Sequence, residues 1–194
     1  AAPPSPAPPA ETPQPAAAAT PADCEAAPAG IPEPLRQSLA QALGRGDLAA
    51  ARKAVKECAD AFQEKAALQK LLDETPDPDS LVADYLRSQV GRPLLFERNG
   101  KTRTVIARGV DGDTIHLEAN GRGADVSISQ LTPDEKIRWM ERPAGAERTL
   151  AYCLTLMRSA QRSDVAAVAA GCPLLADVIV RAAEQAPAAT PPAE

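Results

Sequence analysis

Aromatic residues are scarce in this chain: two Phe, two Tyr and one Trp among 194 residues. That leaves no series of rings on which successive bases could stack. No basic stripe compensates, because the net charge is −5 and the isoelectric point lies near 5.1. Nucleic acid is therefore not an expected partner. Histidine is scarcer still, with His116 alone, so a lone imidazole without a neighbouring nucleophile motif argues weakly for acid–base chemistry. No run is long and apolar enough for a membrane span. The glycine-rich stretches lack phosphate-loop or dinucleotide spacing. No cofactor and no metal are expected.

Lysine and arginine are missing altogether from residues 1–30, which hold nine of the 20 prolines among mostly Ala, with Glu11, Asp23 and Glu25 as the charges. Such a segment has little to bury against the entropy cost of folding, and it reads as a disordered linker. Residues 186–194 repeat that character as a short disordered tail. The roughly 155 residues between suffice for one or two small domains. A Pro/Ala arm ahead of a folded unit predicts an extracytoplasmic setting, periplasmic or secreted, behind a cleaved signal or an upstream anchor. A cytosolic interdomain linker is the alternative.

Four cysteines are present, Cys24, Cys58, Cys153 and Cys172, and none share Cys-x-x-Cys spacing. Zinc is thus not indicated. Two helices over 146–160 and 164–171, joined by a turn at Gln161-Arg162-Ser163, would form an antiparallel hairpin. Cys153 and Cys172 lie equally far from its centre, so they can come within disulfide range. Cys58 ends the corresponding first hairpin. Its mirror position near Glu33 lies close enough in sequence for Cys24 to fold back upon it. The expected pairs are Cys24–Cys58 and Cys153–Cys172; the alternative is four small buried thiols.

The ordered stretch opens as helices. Leu35, Leu39 and Leu43 recur at four-residue spacing from Pro34. Gly44-Arg45-Gly46 breaks that helix, and Asp47 is placed to cap the next, through Leu48, Ala51, Val55, Cys58 and Phe62. A further piece carries Leu68, Leu71 and Leu72 until Thr75-Pro76-Asp77-Pro78 stops it. Asp79 or Ser80 is the expected cap of a helix holding Leu81, Val82, Tyr85 and Leu86. Later, Thr132-Pro133-Asp134-Glu135 spells a capping box with proline at the first position. Asp164 is the expected cap in the second hairpin, and a last helix carries Leu174, Leu175, Val178 and Ile179. The two hairpins match at Gly46-Asp47-Leu48-Ala49-Ala50 and Ser163-Asp164-Val165-Ala166-Ala167, 117 positions apart. This turn is similar to those of tetratricopeptide-type helix pairs.

Between the helical regions, 31–90 and 143–185, the composition switches. Val, Ile and Thr alternate, and turn residues recur at Asn99-Gly100, Asp111-Gly112-Asp113 and Asn120-Gly121. Short strands joined by tight hairpins are predicted over 91–142. Ile115 and Leu117 alternate with Thr114, His116 and Glu118, and Val126 and Ile128 with Ser127 and Ser129. One face is therefore apolar and the other polar. The fold class is α+β, with a small antiparallel β-barrel inserted between two helical hairpin regions.

The ordered set of Gly100, Val105–Ala107, Asp111–Leu117, Gly121 and the run from Val126 to Leu131, followed by the Thr132 helix start, resembles the SLA-one homology domain. This is the SH3-like barrel of endocytic actin adaptors. The resemblance covers about a quarter of the chain. It implies a five-stranded SH3-like barrel and binding of short linear peptides. The sequence departs at Phe96, where the family favours Trp, at the extra Arg122-Gly123, and in the late position of Trp139. No peptide-contact residue carries over.

Asp111 and Asp113 flank Gly112 without the further ligands of a calcium loop, so a hairpin turn is expected there. Trp139 reads as an anchor of its helix on the barrel, the alternative being an exposed binding aromatic. His116, on the polar face of a strand, and Trp139 are the candidates for an interaction surface. The expected function is a non-catalytic module that binds a protein or peptide partner as part of a larger or membrane-anchored protein. An envelope assembly role and an enzyme with a carboxylate site are the alternatives.

Overall fold

The computed structural model describes residues 30–98, 101–141 and 143–186. The Pro/Ala arm with Cys24 and the tail beyond Ala186 lie outside the described residues, as does the Asn99-Gly100 turn. The described chain is α+β: eight α-helices and one four-stranded antiparallel sheet. No helix among the described residues is long and apolar enough to cross a membrane.

Helix α1, Glu33–Gly44, buries Leu35, Leu39 and Leu43 as their spacing predicts. Asp47 caps α2, Leu48–Glu57, accepting from the Ala50 N–H at 2.8 Å. The expected continuation of α2 through Cys58 to Phe62 does not occur. Cys58 turns the backbone to an extended conformation, and Phe62 is buried from the loop instead. After α3, Lys65–Glu74, the cap of α4, Pro78–Ser88, is Asp77 rather than Asp79 or Ser80. Proline has no N–H to satisfy, so Pro78 occupies the first helical position and the cap falls one residue before it.

The strands follow: β1, Pro93–Arg98; β2, Lys101–Asp111; β3, Thr114–Ala119; and β4, Arg122–Ser127, in the order β1-β2-β3-β4. Strands β2 and β3, and β3 and β4, are joined by tight hairpins. Ala119 faces Arg122 across Asn120 and Gly121, both at positive φ (52° and 75°), the conformation a two-residue hairpin turn demands. The Arg122-Gly123 pair simply lengthens β4 against Ala119 and Glu118. Between Ala107 and Gly109 the register shifts, and Arg108 is the extra residue of a bulge.

The sheet is not closed, and the five-stranded barrel expected from the sequence is not what these residues form. Where β4 ends, Asp113 holds the chain. Its backbone carbonyl accepts from the Ile128 N–H at 2.7 Å, and its carboxylate accepts from Ser129 and from the Ser127 hydroxyl. The chain is thereby turned into a 3-10 turn, Ile128–Gln130, where Ile128 had been expected to continue the strand. The next residues form α5, Pro133–Arg138, with the full capping box of Thr132 and Glu135.

The second helical region holds α6, Ala146–Leu156, a 3-10 turn at Arg162–Asp164, α7, Val165–Ala169, and α8, Ala176–Gln185. Asp164 makes no side-chain cap, unlike Asp47, so the two matching turns differ in structure. Helix α8 packs on α1 and α7, while α6 touches α3, α4, α5 and α7. The helices on either side of the sheet therefore share one hydrophobic cluster, which continues into Leu94, Phe96, Val105 and Ile115.

Gly44 sets how closely α1 approaches α8. A Cβ at this position would lie 2.9 Å from the Ala182 carbonyl oxygen. Replacing Gly44 by Val is expected to cost about 1–3 kcal/mol through overpacking. The urea midpoint of Gly44→Val against the parent chain checks this; an unchanged midpoint would mean that α8 yields freely.

Candidate binding cleft

Register determines which side chains share the inner face of the sheet. Leu94 pairs with Val105, Phe96 with Arg103, Leu117 with Ala124 and Ile115 with Val126. Leu94, Phe96, Val105, Ile115, Leu117 and Val126 are buried, while the small Ala119 is half-buried and Ala124 exposed. At one side the face is covered by the residue that follows α5. Trp139 is buried and stacks on Phe96, with ring centroids 5.4 Å apart and an interplanar angle of 26°. Stacking of this kind adds about 0.5–1.5 kcal/mol beyond the buried area. Trp139 is thus an anchor and presents no ring to a partner.

The rest of the face stays open as a cavity of about 440 Å³. Phe96, Val105, Leu117 and Val126 form its apolar wall, and Ala119 and Ala124 keep its floor low. Lys101 and Arg103 stand at its edge. Both are exposed, and neither makes an ion pair with a described residue. Lys101, Arg103 and Val105 are alternate residues of β2, so their side chains rise from the same face at intervals of about 7 Å. The arrangement offers an apolar surface with fixed positive charge at one end, and none of its lining residues is a carboxylate, thiol or imidazole.

The outer face of the sheet is polar. His116 sits there, its Nδ1 2.8 Å from the Asp125 carboxylate of the neighbouring strand. No serine or cysteine approaches this pair closely enough to hydrogen-bond it among the described residues, so it ties β3 to β4 without the third member of a nucleophilic set. Beside it Arg108, the bulge residue, donates to Glu118 at 2.9 Å. Hydrogen bonding between them raises the Arg108 pKa and lowers that of Glu118. Asp113 is the best-satisfied carboxylate of the sheet. The Ser127 hydroxyl, followed by Ser129, holds its pKa below the ordinary value. Its three contacts explain the Asp-Gly-Asp turn as a structural lock.

A second cavity, of about 430 Å³, lies where α2, α4, α5 and α6 meet. Its charged groups are already engaged. Lys136 pairs with Asp79 at 2.5 Å, Arg52 donates to the Leu72 carbonyl at 2.9 Å, and Arg158 donates to the Arg45 carbonyl. Asp77 is committed to capping α4. Among the described residues no buried side-chain nitrogen or oxygen lacks a hydrogen-bond partner, so nothing here points at a missing ligand.

Cys58 is half-buried, while Cys153 and Cys172 are fully buried; all three are free thiols. The expected Cys153–Cys172 bond is thus not formed here, and the Cys24–Cys58 pair involves a residue outside the described set. Burial, with Cys172 as the second influence, pushes the Cys153 thiol up to about 12. Burial likewise raises Cys172.

Sequence reasoning pointed to His116 and Trp139 as surface candidates and missed Lys101, Arg103, Ala119 and Ala124. The signal was present in β2, where Lys, Arg and Val occupy successive positions of one face. Only the register shows that this face is the inner one. Comparison with known proteins finds no family model, no curated protein and no solved structure that this chain matches.

The Asp113 lock has a pH dependence of definite sign. A carboxylate whose pKa is depressed on folding contributes stability above its unfolded pKa. That contribution is lost as pH falls through the folded value. The urea midpoint is expected to fall more steeply on acidification in the parent chain than in Asp113→Asn, which is weaker at neutral pH. Parallel curves for the two proteins would remove Asp113 from this role.

Proposed function

We propose that this chain is a non-catalytic interaction module that binds an extended segment of a protein partner in the open cleft of its sheet. The observation that carries this reading is the cavity of about 440 Å³ lined by Phe96, Val105, Leu117 and Val126, beside two cations that make no ion pair with a described residue. The complementary segment carries carboxylates and apolar side chains at alternate positions. Its carboxylates meet Lys101 and Arg103 and its apolar side chain lies over Val105 and Ala124. The resemblance of this segment to the SLA-one homology domain supports the same reading, with the open sheet and its α5 cover taken as an SH3-like fold. The Pro/Ala arm supports an extracytoplasmic setting as part of a larger or anchored protein.

The geometry supplies its own reporter, because the single Trp stacks on Phe96, which lines the cleft. Short capped peptides with Glu at two alternate positions and Leu at the next are expected to shift the Trp139 emission on titration. Lys in place of Glu should remove the shift. Ala124→Phe, at an exposed position, should fill the cleft and abolish the response without unfolding. Reversing both charges with K101E and R103E should weaken binding about tenfold, since each exposed pair contributes up to about 1 kcal/mol. Peptides of neither charge perturbing Trp139 would sink the proposal, as would a stronger response to a thymidine oligonucleotide.

Self-assembly has one observation in its favour: Leu95, on the edge strand β1, is 60% exposed. Concentration-dependent light scattering that Leu95→Lys abolishes would favour it.

A further inference from the structure

Two thiols stand together in the core, where the cleft plays no part. Thr149 and Cys153 are one turn apart on α6 and so lie on the same face, with Cβ atoms about 5–6 Å apart. The segment after α7 comes directly against that face. A Cβ on Gly171 would lie 3.0 Å from the Thr149 hydroxyl oxygen and 3.3 Å from its methyl carbon, closer than most such contacts, so glycine favours this approach. Cys172 follows at once. Its N–H donates to the Ala169 carbonyl at 2.8 Å and its carbonyl accepts from the Leu175 N–H at 3.0 Å. This tight turn holds it beside α6, and both cysteines have 0% exposure.

We propose that Cys153 and Cys172 are a dithiol site which a disulfide oxidant converts to an intrachain disulfide while the chain folds, and that the finished core then preserves whichever state was made. The oxidant is a small-molecule or protein disulfide. The thiolate of one cysteine attacks it, forming a mixed disulfide and releasing one thiol. The second cysteine then attacks the mixed disulfide and releases the other. The two cysteines lose two protons and two electrons, and the oxidant is reduced to two thiols.

Timing follows from burial. In the closed core neither sulfur meets a reagent, and the high pKa of the Cys153 thiol leaves little of the attacking thiolate. Exchange therefore belongs to the open chain, before α8 seats on α1 and α7. Cys58 differs, being half-buried in the loop after α2.

The test refolds the full chain from denaturant in oxidised or in reduced glutathione, then maps alkylated peptides by mass spectrometry without reduction. Oxidative refolding is expected to yield a Cys153–Cys172 cross-linked peptide. The product should resist dithiothreitol until denatured and melt about 10 °C above the reduced form, as closing a loop of about 20 residues implies. The reduced native protein should react with an aromatic disulfide reagent at Cys58 at least a hundredfold faster than at Cys153 or Cys172. Cys153→Ala and Cys172→Ala, each able to fold with a small apolar side chain, should both lose the difference in melting. A natively folded product of oxidative refolding that carries both thiols alkylated would overturn the proposal. So would a bond from either one to Cys24 or Cys58, or equal reactivity of Cys58, Cys153 and Cys172 in the reduced form.

Discussion

Everything distinctive in this molecule depends on the stack of Trp139 upon Phe96. The sheet has an apolar face too large to leave bare and too short of strands to close on itself. The helix α5 delivers one large ring to part of that face. Its delivery is prepared locally: Asp113 ends β4, Thr132 and Glu135 start the helix, and Pro133 fixes its first turn. The ring covers the Phe96 side and leaves the far side open, where Ala119 and Ala124 offer no bulk of their own. Cover and cleft are therefore two results of one placement. Had the chain supplied a fifth strand, both would be absent.

The helices form the other half of the frame. They are not two independent hairpins with a β module hung between them. Helix α1 rests on α8, α3 and α4 rest on α6, and a single apolar cluster runs through all of them into the sheet. Charge contributes at the periphery. Glu33 accepts from Arg181 across the α1–α8 contact, which holds its carboxyl below the ordinary value. Both groups are largely solvated, so the pair orients the helices more than it stabilises them.

Much of this was legible in the sequence, because the strongest signals are local. Leu35, Leu39 and Leu43 announced α1 by spacing, the Thr132 box announced α5 by its chemistry, and Asn120-Gly121 announced a hairpin by its backbone preference. What failed was decided at a distance. The end of β4 is set by Asp113 holding Ser127 and Ser129, side chains fourteen and sixteen positions away. The cap at Asp77 was misplaced because Pro78 was read as a stop and not as a first helical residue. The cleft was invisible because Lys101 and Arg103 look like an ordinary solvated strand until register sets them beside Phe96. His116 is the sole imidazole, and among the described residues its hydrogen-bond partner is Asp125.

The contact between α1 and α8 has a consequence for how the chain reaches this fold. Glu33 and Arg181 are separated by 148 positions, whereas each hairpin of the sheet closes over a few. Contacts of such sequence separation raise the contact order and form late, after the loop entropy between them has been overcome. During synthesis the strands can pair as soon as they emerge, but Leu39 and Leu43 must wait for α8 to cover them. A nascent chain therefore carries the apolar stripe of α1 exposed until α8 has been made, and that interval is when it is most open to association with other chains.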